Sequence, residues 1–207
     1  NYGEESAQSF CDNSVYFADL CENPDWIDPK YSNPSGKELP TFPIEDEDDF
    51  VDFLQWKDEQ SDDLKKMDED QLFLRYRTFK YLPMRVKDIT KEYYDRIEEE
   101  LDVLNFCGVA SYMLIVADII NWARSNGISV GPGRGSAGGC LVAFLLDIHK
   151  ADSIKYGLVF PRFHNKLKPS YSDIDVDFSE KNRHKIIEYL IHKYGKDNVA
   201  QISNLIE

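Results

Sequence analysis

The chain has 207 residues, 42% of them hydrophobic and 13% aromatic, enough apolar material for one packed domain with a smaller extension. Its formal net charge of −14 argues against strong autonomous binding to duplex DNA. No stretch of about eighteen apolar residues is free of charge and no signal peptide is visible, so neither a membrane span nor a secretory leader is expected.

The charge is unevenly spread. Residues 45–70 carry 13 acids and 3 bases, whereas residues 71–207 carry 17 acids and 19 bases. The acidic stretch reads as a solvated linker or helix, or as an acidic partner surface. Cys11, Cys21, Cys107 and Cys140 match no zinc spacing and read as reduced thiols of an intracellular protein.

Residues 5–22 suggest a short helix, residues 24–44 a Pro-, Gly- and Ser-rich loop, and residues 39–43 an extended exit from it. Residues 48–57 and 68–81 are predicted helices. Thr90 to Leu104 is predicted as an amphipathic helix with Tyr93, Tyr94, Ile97, Leu101 and Leu104 on one face. Ala110 to Asn126 is a strongly apolar helix, with Tyr112, Ile115, Val116, Ile119, Ile120 and Trp122 at helical spacing and Asn126-Gly127 as its stop. Ile128–Val130 is a short strand candidate, and Cys140–Leu146 is a further helical run. Lys181–Tyr194 is the last predicted helix, with Ile186, Ile187, Leu190, Ile191 and Tyr194 inward and Gly195 as its stop. Its Lys181, Arg183 and Lys185 form a basic face that suits either phosphate or solvent.

Between the strand candidate and the Cys140 helix lies Gly131-Pro132-Gly133-Arg134-Gly135-Ser136. Gly133 and Gly135 permit backbone angles closed to other residues and a close approach of amides to a ligand. Ser136 is a natural N-cap, and free amides at a helix start favour phosphate. Arg134 adds a forked cation matched to phosphate oxygens. The same residues also suit a plain strand-to-helix turn. The P-loop ending is absent, and a dinucleotide fingerprint is present only loosely as Gly133-x-Gly135-x-x-Gly138, with Asp152 near the offset where such a site carries an acid.

Asp173, Asp175 and Asp177 follow a strand's two-residue period, with Ile174, Val176 and Phe178 on the other side. Asp disfavours strands, and three like charges on one face repel. A divalent cation relieves that repulsion, and Mg²⁺ takes oxygen ligands. Arg162, Lys166 and Lys168 lie between the two motifs, either as surface charge or as neutralisers of a triphosphate.

Five segments in order then resemble the C-family replicative DNA polymerases, the bacterial DNA polymerase III alpha subunits. Gly108–Asp118 resembles the family's helix before its loop, and Val130–Ser136 its triphosphate-binding loop. Phe160-Pro-Arg-Phe-His-Asn165 resembles a Phe-Glu-Arg-Phe-Leu-Asn segment. Asp173–Phe178 resembles the metal-binding strand, and Tyr194–Ile202 the run toward the thumb. The resemblance covers about residues 90–202. His164 stands in place of Leu, Lys166-Leu167-Lys168 in place of Pro-Glu-Arg, and Ser172 in place of Pro.

The resemblance implies an α/β fold, a polymerase-beta-like nucleotidyltransferase palm preceded by a helical and linker region. Residues 1–44 would be the exit from a phosphoesterase-like domain, 45–85 an acidic helical connector, and 86–207 the palm portion. Asp175 and Asp177 would be catalytic and hold two Mg²⁺ ions in the completed site. Gly133, Arg134, Gly135, Ser136, Arg162 and Lys168 would hold deoxynucleoside triphosphate. Asp173 matches an aspartate outside the catalytic pair. Primer-template DNA would be the other substrate, with no membrane partner. A second polypeptide or downstream region would supply thumb, fingers and the third catalytic aspartate, so the chain alone is expected to be inactive. The implied location is the cytoplasm of a bacterium or of a virus-infected bacterial cell. Two other readings are a non-enzymatic binding piece of a split polymerase and a nucleotidyltransferase acting on a small hydroxyl compound. The polymerase reading requires the loop from Gly131 and the acidic run ending at Asp177 to share one cleft.

Overall fold

The computed structural model describes residues 41–167 and 173–200. The expectations for residues 5–22 and 24–40, for Lys168 and Ser172, and for residues 201–202 lie outside them. Among the described residues six α-helices run in order: α1 Phe50–Asp58, α2 Glu69–Arg85, α3 Lys91–Phe106, α4 Ala110–Ser125, α5 Leu141–Leu145 and α6 Arg183–Tyr194. Short 3₁₀ turns link them, including Ser136–Gly139 and Phe160–Arg162. No single helix among the described residues is long and apolar enough to cross a membrane.

The expected α/β architecture is overturned. Among the described residues the structure is helical, and the extended segments meet in one isolated antiparallel bridge, Val130 to Phe178. The backbone explains why no ladder grows. Gly131 N donates to Asp177 O at 2.9 Å and Ser179 N to Ser129 O at 3.3 Å. Beyond them Pro132 has no N–H to offer. At the other end, Ile174 N donates to the Tyr112 hydroxyl at 3.0 Å instead of to a neighbouring strand. Alternation nevertheless persists along this lone segment: Asp173, Asp175 and Asp177 are exposed, while Ile174, Val176 and Phe178 pack against the core.

Among the described residues the larger of two apolar clusters runs from Phe42 to Tyr194, and Ala123, Ile128 and Ile186 form the smaller. The centre of the larger is α2, against which α1, α3, α4 and α5 pack, and α4 contributes the buried Met113, Leu114, Ala117 and Ile120. α2 extends past the predicted end at residue 81 and contains Pro83, whose missing N–H falls in the final turns. In α3 the apolar stripe is narrower than predicted. Tyr93, Ile97, Leu101 and Leu104 are buried, but Tyr94 is 48% exposed, because residues one apart diverge by about 100° around a helix. In α6 Ile186 and Tyr194 are buried and Ile191 is 37% exposed.

The acidic stretch departs from a solvated linker at Glu47 and Asp49. Arg77 donates to Glu47 at 2.6 Å and to Asp49 at 2.8 Å, and its guanidinium lies 4.5 Å from the Phe73 ring centroid. Lys193 links Glu47 at 2.7 Å to Asp118 at 2.8 Å. Asp118 also accepts from the Tyr189 and Tyr194 hydroxyls. This polar chain ties the residues before α1 to α2, α4 and α6.

Candidate active site

The glycine turn and the acidic segment meet. Besides the Gly131–Asp177 backbone bond, Arg134 reaches back across the turn: Nη1 lies 3.0 Å from Asp175 Oδ2 and Nε lies 3.2 Å from Asp177 Oδ2. Both carboxylates and the guanidinium are largely exposed. Gly135, at φ 78°, lies beside Asp175, where a Cβ would be in ordinary contact with Oδ2 at 3.6 Å. Asp173 lies two residues upstream, outside the Arg134 bridge.

Ser136 opens the 3₁₀ turn and borders a groove of about 530 Å³. The opposite wall is Gly157–Val159, and Arg162 lines the same groove. Loop, serine and arginine, 26 residues apart in sequence, are therefore brought to one place. Lys166 is directed elsewhere, donating to Asp102 at 2.5 Å with its ammonium 5.5 Å from the Phe106 ring centroid.

Two sequence expectations need correction here. Ser136 makes no side-chain cap, and α5 is capped by Cys140, whose sulfur accepts from Ala143 N at 3.4 Å. Nor are the first amides of α5 free for phosphate. Leu141 N and Val142 N donate to the buried Glu100 carboxylate of α3 at 3.0 and 2.9 Å. Asp152, near the offset where a dinucleotide site carries an acid, serves the turn that follows it. Its Oδ1 accepts from Ile154 N and Lys155 N, and its Oδ2 from the Tyr93 hydroxyl at 2.7 Å.

The glycine turn rests on a second turn, residues 147–150. Lys150 N donates to Pro132 O at 2.9 Å, and Gly133, at φ 89°, sits against His149. His149 is buried, with Nε2 3.0 Å from Cys140 O, and burial holds its imidazole below the ordinary value. Asp147 anchors this turn in a left-handed conformation, φ 65°. Its carboxylate is bonded by Arg85 of α2, Arg124 of α4 and Lys150.

Burial alone would raise the Asp147 carboxyl. The bonds from Lys150 and Arg85, with the charges of Arg85 and Arg124, outweigh burial and hold it below its ordinary 3.8. Asp49 behaves alike, raised by burial and lowered further by Arg77 and Lys80. Carboxylates of this kind contribute stability that is complete above the ordinary value and lost as pH falls through the lowered one. Glu100 acts oppositely. Burial raises it above 4.5 against the amides of Leu141 and Val142 and the Arg96 charge, so protonating it favours the folded state. The thermal midpoint, followed by circular dichroism, is therefore expected to hold between about pH 7 and pH 5 and to fall below about pH 4. Asp147→Asn should lower the plateau and flatten the fall; an unchanged acid limb contradicts the assignment.

Two exposed carboxylates converging on one cation are hard oxygen ligands suited to Mg²⁺. No cluster of three or more His, Cys, Asp or Glu side chains that could hold a metal ion occurs among the described residues. The residues present thus fit the two-carboxylate half of a Mg²⁺ site.

Residues 55–207 match the family described as the bacterial DNA polymerase III alpha NTPase domain. The chain belongs to this family. It is 55% identical over 135 residues to DNA polymerase III subunit alpha of Aquifex aeolicus, a match covering 63% of this chain and 12% of that protein. The Saccharopolyspora erythraea subunit is 49% identical over 123 residues, 59% of this chain and 10% of its own length. The Helicobacter pylori subunit is 46% identical over 139 residues, 65% of this chain and 12% of its own length. The chain is therefore similar to a short portion of these DNA polymerase III alpha subunits.

The residues that sequence reasoning missed stand behind the loop. Arg96 and Glu100, four apart on α3, look like an ordinary surface ion pair. The available signal was phase: Glu100 falls in register with Tyr93, Ile97 and Leu104 on the buried stripe. Asp147, Arg85 and Arg124 offered no local signal, because they come from three separate elements.

Proposed function

We propose that this chain supplies the triphosphate- and metal-binding part of a DNA-directed DNA polymerase, which transfers a deoxynucleotide to a primer 3′-hydroxyl in a bacterial or virus-infected bacterial cytoplasm. The observation that carries the reading is the Arg134 bridge to Asp175 and Asp177, beside the groove of Ser136 and Arg162. It joins oxygen ligands for a cation to cationic and small-residue contacts for phosphate.

Asp175 and Asp177 would hold Mg²⁺. When bound, the metal neutralises charge on the phosphoryl oxygens and acts as a Lewis acid. Arg134 and Arg162 orient the triphosphate from two sides, and Gly133, Gly135 and Ser136 let the backbone approach it closely. Lys168 joins them by the family resemblance. Fixed charges and dipoles of this kind favour the transition state because they need no reorganisation during transfer.

With two carboxylates converging, the chain by itself is expected to bind triphosphate but not to extend a primer. Titration with deoxyadenosine triphosphate and Mg²⁺ should give saturable binding that Arg162→Ala weakens by about tenfold. Primer extension should require the rest of an alpha subunit. Extension by the chain alone, or transfer to a small hydroxyl compound without primer, would sink this reading.

A further inference from the structure

Glu100 is fully buried and spends its carboxylate entirely on the segment behind the glycine turn. Oε1 accepts from Arg96 Nε at 2.7 Å and from Leu141 N at 3.0 Å. Oε2 accepts from Val142 N at 2.9 Å and from the Cys140 thiol at 3.2 Å. The other arm of Arg96 crosses to both walls of the groove. Its Nη2 donates to Gly139 O at 3.0 Å and to Leu158 O at 3.2 Å. The walls already touch at their base: a Cβ on Gly139 would lie 2.5 Å from Val159 O. Below them the Arg96 guanidinium lies 5.8 Å from the Phe160 ring centroid, in the turn that ends at Arg162.

We propose that Arg96, aimed by Glu100, is a positioning residue that sets the spacing of the two groove walls and so the fit of the triphosphate between Ser136 and Arg162. The inference rests on the triphosphate reading of that groove. A guanidinium is planar, so one nitrogen locked on Glu100 fixes where another can point. The carbonyls of Gly139 and Leu158 share that one donor and cannot separate without losing it. A buried carboxylate is tolerated only when its oxygens are satisfied, and here every acceptor contact serves this junction. Arg96 does not touch Asp175 or Asp177, so it governs the phosphate half of the site and not the metal half.

The test compares Arg96→Gln and Arg96→Lys with Arg75→Gln. Arg75 of α2 makes a forked pair with Glu98 of α3, away from the groove. For each, calorimetric titration with Mg²⁺–deoxyadenosine triphosphate is set beside paramagnetic titration with Mn²⁺ alone and a circular dichroism melt. Arg96→Gln should weaken triphosphate by about tenfold while Mn²⁺ affinity stays within about twofold of the parent. Arg96→Lys should recover little, since an ammonium cannot hold Glu100 and both carbonyls in one plane. Arg75→Gln should change neither affinity. Triphosphate binding that survives both Arg96 substitutions in folded protein but is lost in Arg162→Ala overturns the inference alone. Equal loss of Mn²⁺ and triphosphate, or failure of both variants to fold, makes the pair a folding element and also overturns it. No triphosphate binding by the unsubstituted chain overturns the groove reading and this inference with it.

Discussion

Asp177→Asn, placed in an alpha subunit carrying this segment, is expected to lower primer extension by roughly a thousandfold or more while leaving the segment folded. The substitution keeps side-chain shape but removes one of the two negative charges that converge on Arg134. An amide oxygen is a poorer ligand for a hard divalent cation than a carboxylate. The fold should not notice, because Asp177 holds the glycine turn through its backbone carbonyl, 2.9 Å from Gly131 N, and its side chain is exposed. In the chain alone the same substitution should weaken Mn²⁺ binding with an unchanged helical spectrum. Extension within about tenfold of the parent enzyme would remove Asp177 from the catalytic pair.

Gly133→Ala should have the largest effect on the loop itself. Gly133 has φ 89°, and a Cβ there would lie 2.4 Å from His149 Cβ and 3.0 Å from His149 Cα. These are atoms at the backbone of a buried residue, so no rotamer change relieves the clash. His149 cannot retreat easily, being packed beneath the turn with Nε2 against Cys140 O. The turn must instead lift away from residues 147–150, breaking the Lys150–Pro132 bond. The expected loss is about 3 kcal/mol or more in urea unfolding, together with loss of triphosphate binding. Gly138→Ala is the matched control: nothing lies within 4 Å of a Cβ there, and its φ is ordinary. Equal stability of the two variants would show that the turn does not lean on His149.

Both predictions use residues that were legible in the chain as written. Gly133 and Arg134 stand out as a glycine-rich turn that carries a forked cation, and Asp177 because aspartate is ill suited to a strand. The residues that hold them in place do not. Glu100 hides as a surface charge until α3 is packed, and Asp147 depends on cations from α2, α4 and its own turn. Tyr94 and Ile191 show the opposite failure, apolar by type but turned outward by the phase of their helices.

The linear order of residues was enough to locate the main helices from α1 to α6, to pair the glycine turn with the three aspartates, and to point to the family. Those features rest on short-range periodicity and on residue chemistry, which survive without neighbours. The fold class was not accessible in that way. An extended segment becomes a sheet strand only if partners are available to its amides, and here Ile174 turns to Tyr112 while Pro132 ends the pairing beside Val130. The arrangement of Arg96, Glu100 and Asp147 likewise exists only after distant elements close on one another. Burial then converts ordinary charges into the scaffold of the loop.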